Sequence, residues 1–150
     1  MQGGCLLMMQ ETNGAKLARA VGAILSSDTV RQAEFLHPDI EIHEADGLPY
    51  SGVYRGYDGC KKLVENIRMV WANLEVTAKF IIGEATGDKF VVMQHMRGHA
   101  VRSGQAFETS VLELFFFRDG RIAEIRPYYW DTRALATLNQ NSSTSAVASV

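Results

Sequence analysis

The chain has 150 residues, 47% of them apolar, which is the size and composition of one domain with its own core. Fifteen Lys and Arg against seventeen Asp and Glu give a formal charge of −2, so the basic footprint of a nucleic-acid binder is missing. Cys5 and Cys60 lie far apart with no CxxC or Cys/His cluster, which excludes a disulfide scaffold and a structural zinc site and points to free thiols in a reducing cytoplasm.

Residues 1–13 read as an N-terminal extension. The run up to Met9 is too short for a signal-peptide core, and no stretch reaches the ~18 apolar residues of a membrane span, so a cytoplasmic protein without membrane partners is expected. Leu17, Ala20, Val21, Ile24 and Leu25 recur at helical spacing. Ser27-Asp28 then reads as the cap of a second helix carrying Val30, Ala33, Phe35 and Leu36, which His37-Pro38 ends. Asp39 to Glu44 alternates strictly, the pattern of a half-buried strand, and a Pro/Gly loop follows from Ala45 to Gly52. Asp58 caps a third helix running to about Asn73. Four long strands come next, over 75–84, 89–102, 105–118 and 121–131, separated by turns at Thr86-Gly87-Asp88, Ser103-Gly104 and Asp119-Gly120. Residues 139–150 are small, polar and aperiodic, and read as a disordered tail. Helices followed by a meander predict an α+β fold, with helices packed on one face of a curved antiparallel sheet. Such a sheet makes a cone whose open end is a pocket.

Two segments carry a resemblance: HPDIEIHEADGLPYSGVYRG from His37 to Gly56, and FFFRDGRIAEIRPYYWDTRAL from Phe115 to Leu135. With the element order, they make residues 14–138 resemble the nuclear-transport-factor-2-like superfamily, in particular its SnoaL-like polyketide cyclase and ketosteroid isomerase group. The resemblance implies a cone-shaped α+β barrel of the cystatin-like kind and a cofactor-independent isomerase, cyclase or lyase. Its substrate would be a small apolar carbonyl metabolite, polyketide or steroid-like, handled by proton transfer. The superfamily also holds epoxide hydrolases and non-catalytic ligand-binding or dimerisation modules. Carried over residue by residue, the resemblance puts His43 at the general-base position and Glu113 at that of a protonated carboxyl facing an oxyanion. Asp131 falls where the SnoaL-like cyclases keep an acid or base. The oxyanion tyrosine of the isomerases has no counterpart, since Arg19 stands there.

Strand parity adds an independent set, because side chains at i and i+2 share a face. If Glu113 faces the cavity, so do Thr109 and Val111, then Gln94, Met96 and Gly98, then Ile125, Pro127, Tyr129 and Asp131. The expected substrate-binding residues are therefore Tyr129, Gln94, Met96, Val111 and Ile125, with Tyr54 near the loop. Alternatives stay open at each catalytic position. Periodicity alone turns Ile40 and Ile42 to the core and His43 outward; Glu113 could pair with Arg97 or Arg126; Asp131 could be the N-cap of a short helix over 132–138. His95, Arg97 and His99 share the outward face, and no metal site is expected. Phe115 to Phe117 places aromatics on both sheet faces, which suits a homodimer.

Overall fold

Strand length sets the architecture. In the computed structural model, which describes residues 10–21 and 29–140, the elements in chain order are α1 (Asn13–Ala20), α2 (Thr29–Phe35), β1 (Leu36–Glu44), β2 (Gly52–Arg55) and α3 (Gly56–Val70). They continue with β3 (Trp71–Ile82), β4 (Lys89–Ala100), β5 (Ala106–Arg118), β6 (Arg121–Tyr129) and α4 (Thr132–Leu138). Three strands of 12 to 13 residues exceed the common five or six, and sheets that long coil. Irregular register in the β3–β4 and β5–β6 pairs bends them further. The result is a curved, unclosed sheet in the order β2-β1-β6-β5-β4-β3. The Ser27-Asp28 cap, the far part of the first expected helix and the tail from 141 lie outside the described residues.

The α+β reading holds, with local differences. Helix α3 starts at Gly56 behind Arg55, so Asp58 lies in its first turn instead of capping it, and α2 ends at Phe35, so that Leu36, His37 and Pro38 open β1. β1 runs parallel to β6, so the sheet is antiparallel everywhere except at that seam. A four-residue strand, β2, sits at the end of the expected loop and pairs with the end of β1, Glu44 opposite Gly52; it is too short to show a period in sequence. Finally, α3 stops at Val70 rather than near Asn73, and the chain enters β3 at once through Trp71, with Asn73 in the left-handed region at φ 50°. The Asp119-Gly120 hairpin is as expected: both residues have positive φ, 52° and 70°, the requirement of a tight two-residue turn matching strand twist.

Helix α3 turns Cys60, Leu63, Val64 and Ile67 inward and packs against β1, β2 and β3. Facing it, β4 alternates almost perfectly, with Phe90, Val92, Gln94, Met96, Gly98 and Ala100 buried. Phe115, Ile40, Ile122, Val92 and Leu17 are fully enclosed and close the end of the core next to α1 and α2. The seat of α3 on the sheet is tight at Gly59, where an added Cβ would lie 2.9 Å from the backbone carbon of Tyr54. Ala normally gains up to ~1 kcal/mol over Gly inside a helix. A backbone-to-backbone clash outweighs that gain, so Gly59→Ala is expected to destabilise the fold by a net ~1–2 kcal/mol in urea unfolding; a stabilised variant would show that α3 can shift.

Candidate active site

The concave face of the sheet, α3 and the end of α1 enclose a cavity of about 260 Å³. Its wall is mostly apolar, including Ile42, Leu63, Ile67, Trp71, Met96, Val111, Ile125 and Pro127. The polar atoms come from Gln94, Glu113, Glu44, Tyr50 and Tyr129, and no Lys, Arg or His is among the described lining residues. This is the usual build of a small-molecule site: an apolar wall with a few convergent polar groups.

Parity puts Glu113 there. On β5 it shares a face with Val111 and Phe115, and Gln94 of β4, paired with Val111, is its diagonal neighbour. Gln94 Nε2 donates to Glu113 Oε2 at 2.5 Å. That single amide bond is a weak substitute for water, so burial pushes the Glu113 carboxyl up to about 7. Glu44, the last residue of β1, accepts a hydrogen bond at 3.0 Å from the Tyr129 hydroxyl and another from the backbone N–H of Ala45. Burial first, and then the nearby Glu113 charge, raise its carboxyl to about 8; the two donors pull the other way and lose. The surface that both carboxyls still show is cavity wall, not bulk solvent, which is why half-burial shifts them this far. Behind them, Trp71 Nε1 donates to the Tyr50 hydroxyl at 3.0 Å. Burial lifts Tyr50 to about 12 and Tyr129 well above the ordinary phenol value.

The expected site residues separate into two groups. Glu113, Gln94, Met96, Val111, Ile125 and Tyr129 all line the cavity. His43 does not. Its strand neighbours Ile40, Ile42 and Glu44 take the inward parity, so His43 points to the outer face and lies 3.1 Å from Glu41 and 3.9 Å from Glu124. Glu41 is held in turn by Arg55, and Glu124 bonds Arg126, so the histidine belongs to a surface ion network. Asp131 is also elsewhere: β6 ends at Tyr129, and Asp131 caps α4 by accepting from Ala134 N at 2.8 Å, beside a separate cleft shared with Trp130 and Leu135. Thr109 lines that same cleft instead of the cavity. Tyr54 stands behind the wall, donating to the Tyr50 carbonyl at 2.8 Å and accepting from Asn66. Nor does Glu113 form an ion pair with Arg97 or Arg126, which bond Glu75 and Glu124 on the outer face. Tyr50, which with Tyr54 and Arg55 could line the mouth or pack the loop, lines the cavity. Glu44 and Trp71 are additions from the structure: Glu44 is legible as the third member of the Ile40, Ile42, Glu44 parity set, whereas Trp71 stands at a helix-to-strand junction where no period applies.

A curved sheet wrapped on a long helix around an acid-bearing cavity is the nuclear-transport-factor-2-like fold. Residues 17–125 match the family model of the SnoaL-like domain, and the chain belongs to that family. Among solved structures, an NTF2-like protein of unknown function from Burkholderia pseudomallei is similar with a TM-score of 0.75 and 21% identity, over 86% of this chain and 98% of that one. TerC, co-crystallised with polyporic acid, gives 0.73 and 20%, over 84% and 96%. A candidate SnoaL-like polyketide cyclase from Jannaschia gives 0.70 and 16%, over 87% and 94%. None of the curated proteins matches the sequence significantly.

The raised carboxyls have a measurable signature. Unfolded, both titrate near 4.5; folded, they hold their protons to about 7 and 8. As pH rises from about 4.5, the unfolded state loses protons that the folded state keeps, so stability falls until the folded values are passed and is flat above them. Glu113 alone accounts for roughly 3 kcal/mol of that fall at most. Urea unfolding at pH 5 and pH 9 should show wild type losing stability with pH and Glu113→Gln losing clearly less; equal slopes would mean that Glu113 is solvated.

Proposed function

We propose that this protein is a cofactor-independent isomerase, cyclase or lyase that moves a proton on a small, largely apolar carbonyl compound. The observation that carries the reading is the Glu44–Glu113 pair, two carboxyls of raised and unequal proton affinity facing one apolar cavity with no cationic side chain among its described lining residues. Near neutrality such a pair holds one proton between its members. Glu113, the first to ionise, takes the proton from the carbon next to the substrate carbonyl. Glu44, still protonated and backed by Tyr129, donates to the carbonyl oxygen as it becomes an enolate. Glu113 then returns the proton at another carbon or to a leaving group. His43 and Asp131 have no part, since neither reaches the cavity. The cavity volume of about 260 Å³ lies below the roughly 300–1,000 Å³ of sites for drug-sized ligands. That favours a one- or two-ring compound over a four-ring one. TerC with its polyporic acid supports small-molecule binding on this fold.

The test is α-proton exchange of small cyclic ketones and enones in D₂O, followed by NMR. Glu113→Gln and Glu44→Gln should each lower the exchange rate by roughly 10²- to 10⁴-fold, and His43→Ala should stay within a few-fold of wild type. The kcat/KM profile should be bell-shaped, rising as Glu113 ionises near 7 and falling as Glu44 ionises near 8. Binding without exchange across the whole panel would favour a non-catalytic ligand-binding module.

We further propose that a second copy of the chain covers the outer sheet face. Met93, Leu112 and Tyr128 are direct register partners across β4, β5 and β6, and make a continuous apolar row. Leu112 and Tyr128 are 44% and 56% exposed. Sedimentation should give a dimer for wild type and a monomer for Leu112→Glu; a monomeric wild type would remove the proposal.

A further inference from the structure

Gln94 is 5% exposed, and the two ends of its amide are used differently. Nε2 donates to Glu113 Oε2, the one hydrogen bond its side chain makes among the described residues, so Oε1 is left without a protein partner. Among those residues no fully buried side-chain oxygen or nitrogen lacks a partner, so Oε1 must show some surface, and the surface that Gln94 lines is the cavity. The same reasoning turns Glu113 Oε1 to that space, since Oε2 is the oxygen that Gln94 occupies. Amide and carboxyl thus present two oxygens from neighbouring strands. Neither an ionised carboxyl nor an amide oxygen has a proton to give. Turning the amide over would set Gln94 Oε1 against Glu113 Oε2, two acceptors in contact and unpaired, which is destabilising in a buried place. Ionised Glu113 therefore fixes which end of Gln94 faces the cavity, and that end can only accept.

We propose that Gln94 sets specificity by receiving a substrate hydroxyl on Oε1, and that the substrate is a hydroxy ketone with this hydroxyl on the carbon that loses its proton to Glu113 or on the next one. The placement follows from contact: with the amide nitrogen 2.5 Å from the carboxyl, a C–H aimed at Glu113 Oε1 and an O–H aimed at Gln94 Oε1 belong to the same or adjacent carbons. The inference rests on the base role proposed for Glu113, but the locked amide is independent of any reaction. A ketone without the hydroxyl leaves Oε1 unpaired once water is expelled, and a methyl ether sets a second acceptor against the first; both bind less tightly. The other titratable groups facing this pair are Glu44 from β1, Tyr129 from β6 and Tyr50 from the loop before β2, while α3 and β3 bring Leu63, Ile67, Trp71, Leu74 and Val76.

The lock is read without ligand, from the side-chain amide protons of Gln94 in nitrogen-15-labelled protein, assigned by their loss in Gln94→Met. One of the two should move downfield as Glu113 ionises near 7, and the step should be absent from Glu113→Gln. An amide proton that ignores Glu113 overturns the proposal. Recognition is read at about pH 7.5 from the binding of 1-tetralone, its 2- and 3-hydroxy derivatives and their methyl ethers. The chain has two tryptophans and Trp130 is 87% exposed, so in Trp130→Phe the emission reports on Trp71 in the cavity wall. At least one hydroxy ketone should bind roughly 2- to 10-fold more tightly than 1-tetralone and than its own ether. Gln94→Met should bind that hydroxy ketone and 1-tetralone alike. A preference that survives in Gln94→Met overturns the assignment, since Glu113 or another group would then hold the hydroxyl. Glu113→Gln frees the amide to turn, so discrimination against the ether should shrink there, which serves if Gln94→Met does not fold; undiminished discrimination also overturns the lock. Binding of none of these ketones removes the hydroxy ketone assignment. Proton exchange on 1-tetralone without any hydroxyl preference removes this inference and leaves the proposed reaction, whereas a hydroxyl preference without exchange on any of the compounds does the reverse.

Discussion

Two carboxyls share a cavity with no Lys, Arg or His among its described lining residues, and most of the chemistry of this molecule follows from that. A buried carboxylate is tolerated when an Arg or Lys sits beside it. Here the arginines Arg55, Arg97 and Arg126 all bond acids on the outer sheet face. The interior acids are left with neutral donors: an amide for Glu113, a phenol and a backbone N–H for Glu44. Neutral donors soften the desolvation penalty without cancelling it, so both groups move into the range where a proton can be given or taken near neutral pH. One salt bridge to the interior would quench that, holding either carboxyl ionised well below neutrality.

The separation of charges between the faces is a property of the pleat. Along β4, Gln94 and Met96 face in while His95 and Arg97 face out, and along β5 Glu113 and Val111 face in while Leu112 faces out. The same rule made much of the cavity readable in the sequence. With Glu113 inward, Gln94, Met96, Val111, Ile125, Pro127 and Tyr129 follow by parity, although a register shift between Phe116 and Phe117 interrupts the count further down β5 and β6. The long strands were legible for a related reason, since alternation sustained over a dozen residues has no helical equivalent.

Where the reading went astray, a different influence had overridden the period. His43 was drawn inward by its place in the family pattern, against the alternation of Ile40 and Ile42; a one-residue slip on a strand exchanges the two faces, and the residue that arrives in the cavity is Glu44. Asp131 was carried inward by extending the β6 period two residues too far, past a strand end that only the helix cap at Ala134 reveals. Tyr50 and Trp71 lie at a loop and at a helix-to-strand junction, where no period applies, and their meeting is a long-range contact that local pattern does not encode.

The cavity itself is the feature least explained by folding alone. Apolar space left unfilled in a core forfeits packing contacts on its lining, and a cavity of about 260 Å³ forfeits many. Water offsets that loss only where polar groups can hold it. The polar groups here are the ones whose protonation is most perturbed, so hydrating the cavity and poising its acids are the same task done by the same side chains. A sequence selected only to fold would narrow the space with larger residues at positions such as Val111 and Val76 and replace Glu113 with an aliphatic. Keeping both the space and the unneutralised acids runs against stability twice, and the two departures meet at one place, which is the strongest physical argument that the place is a site.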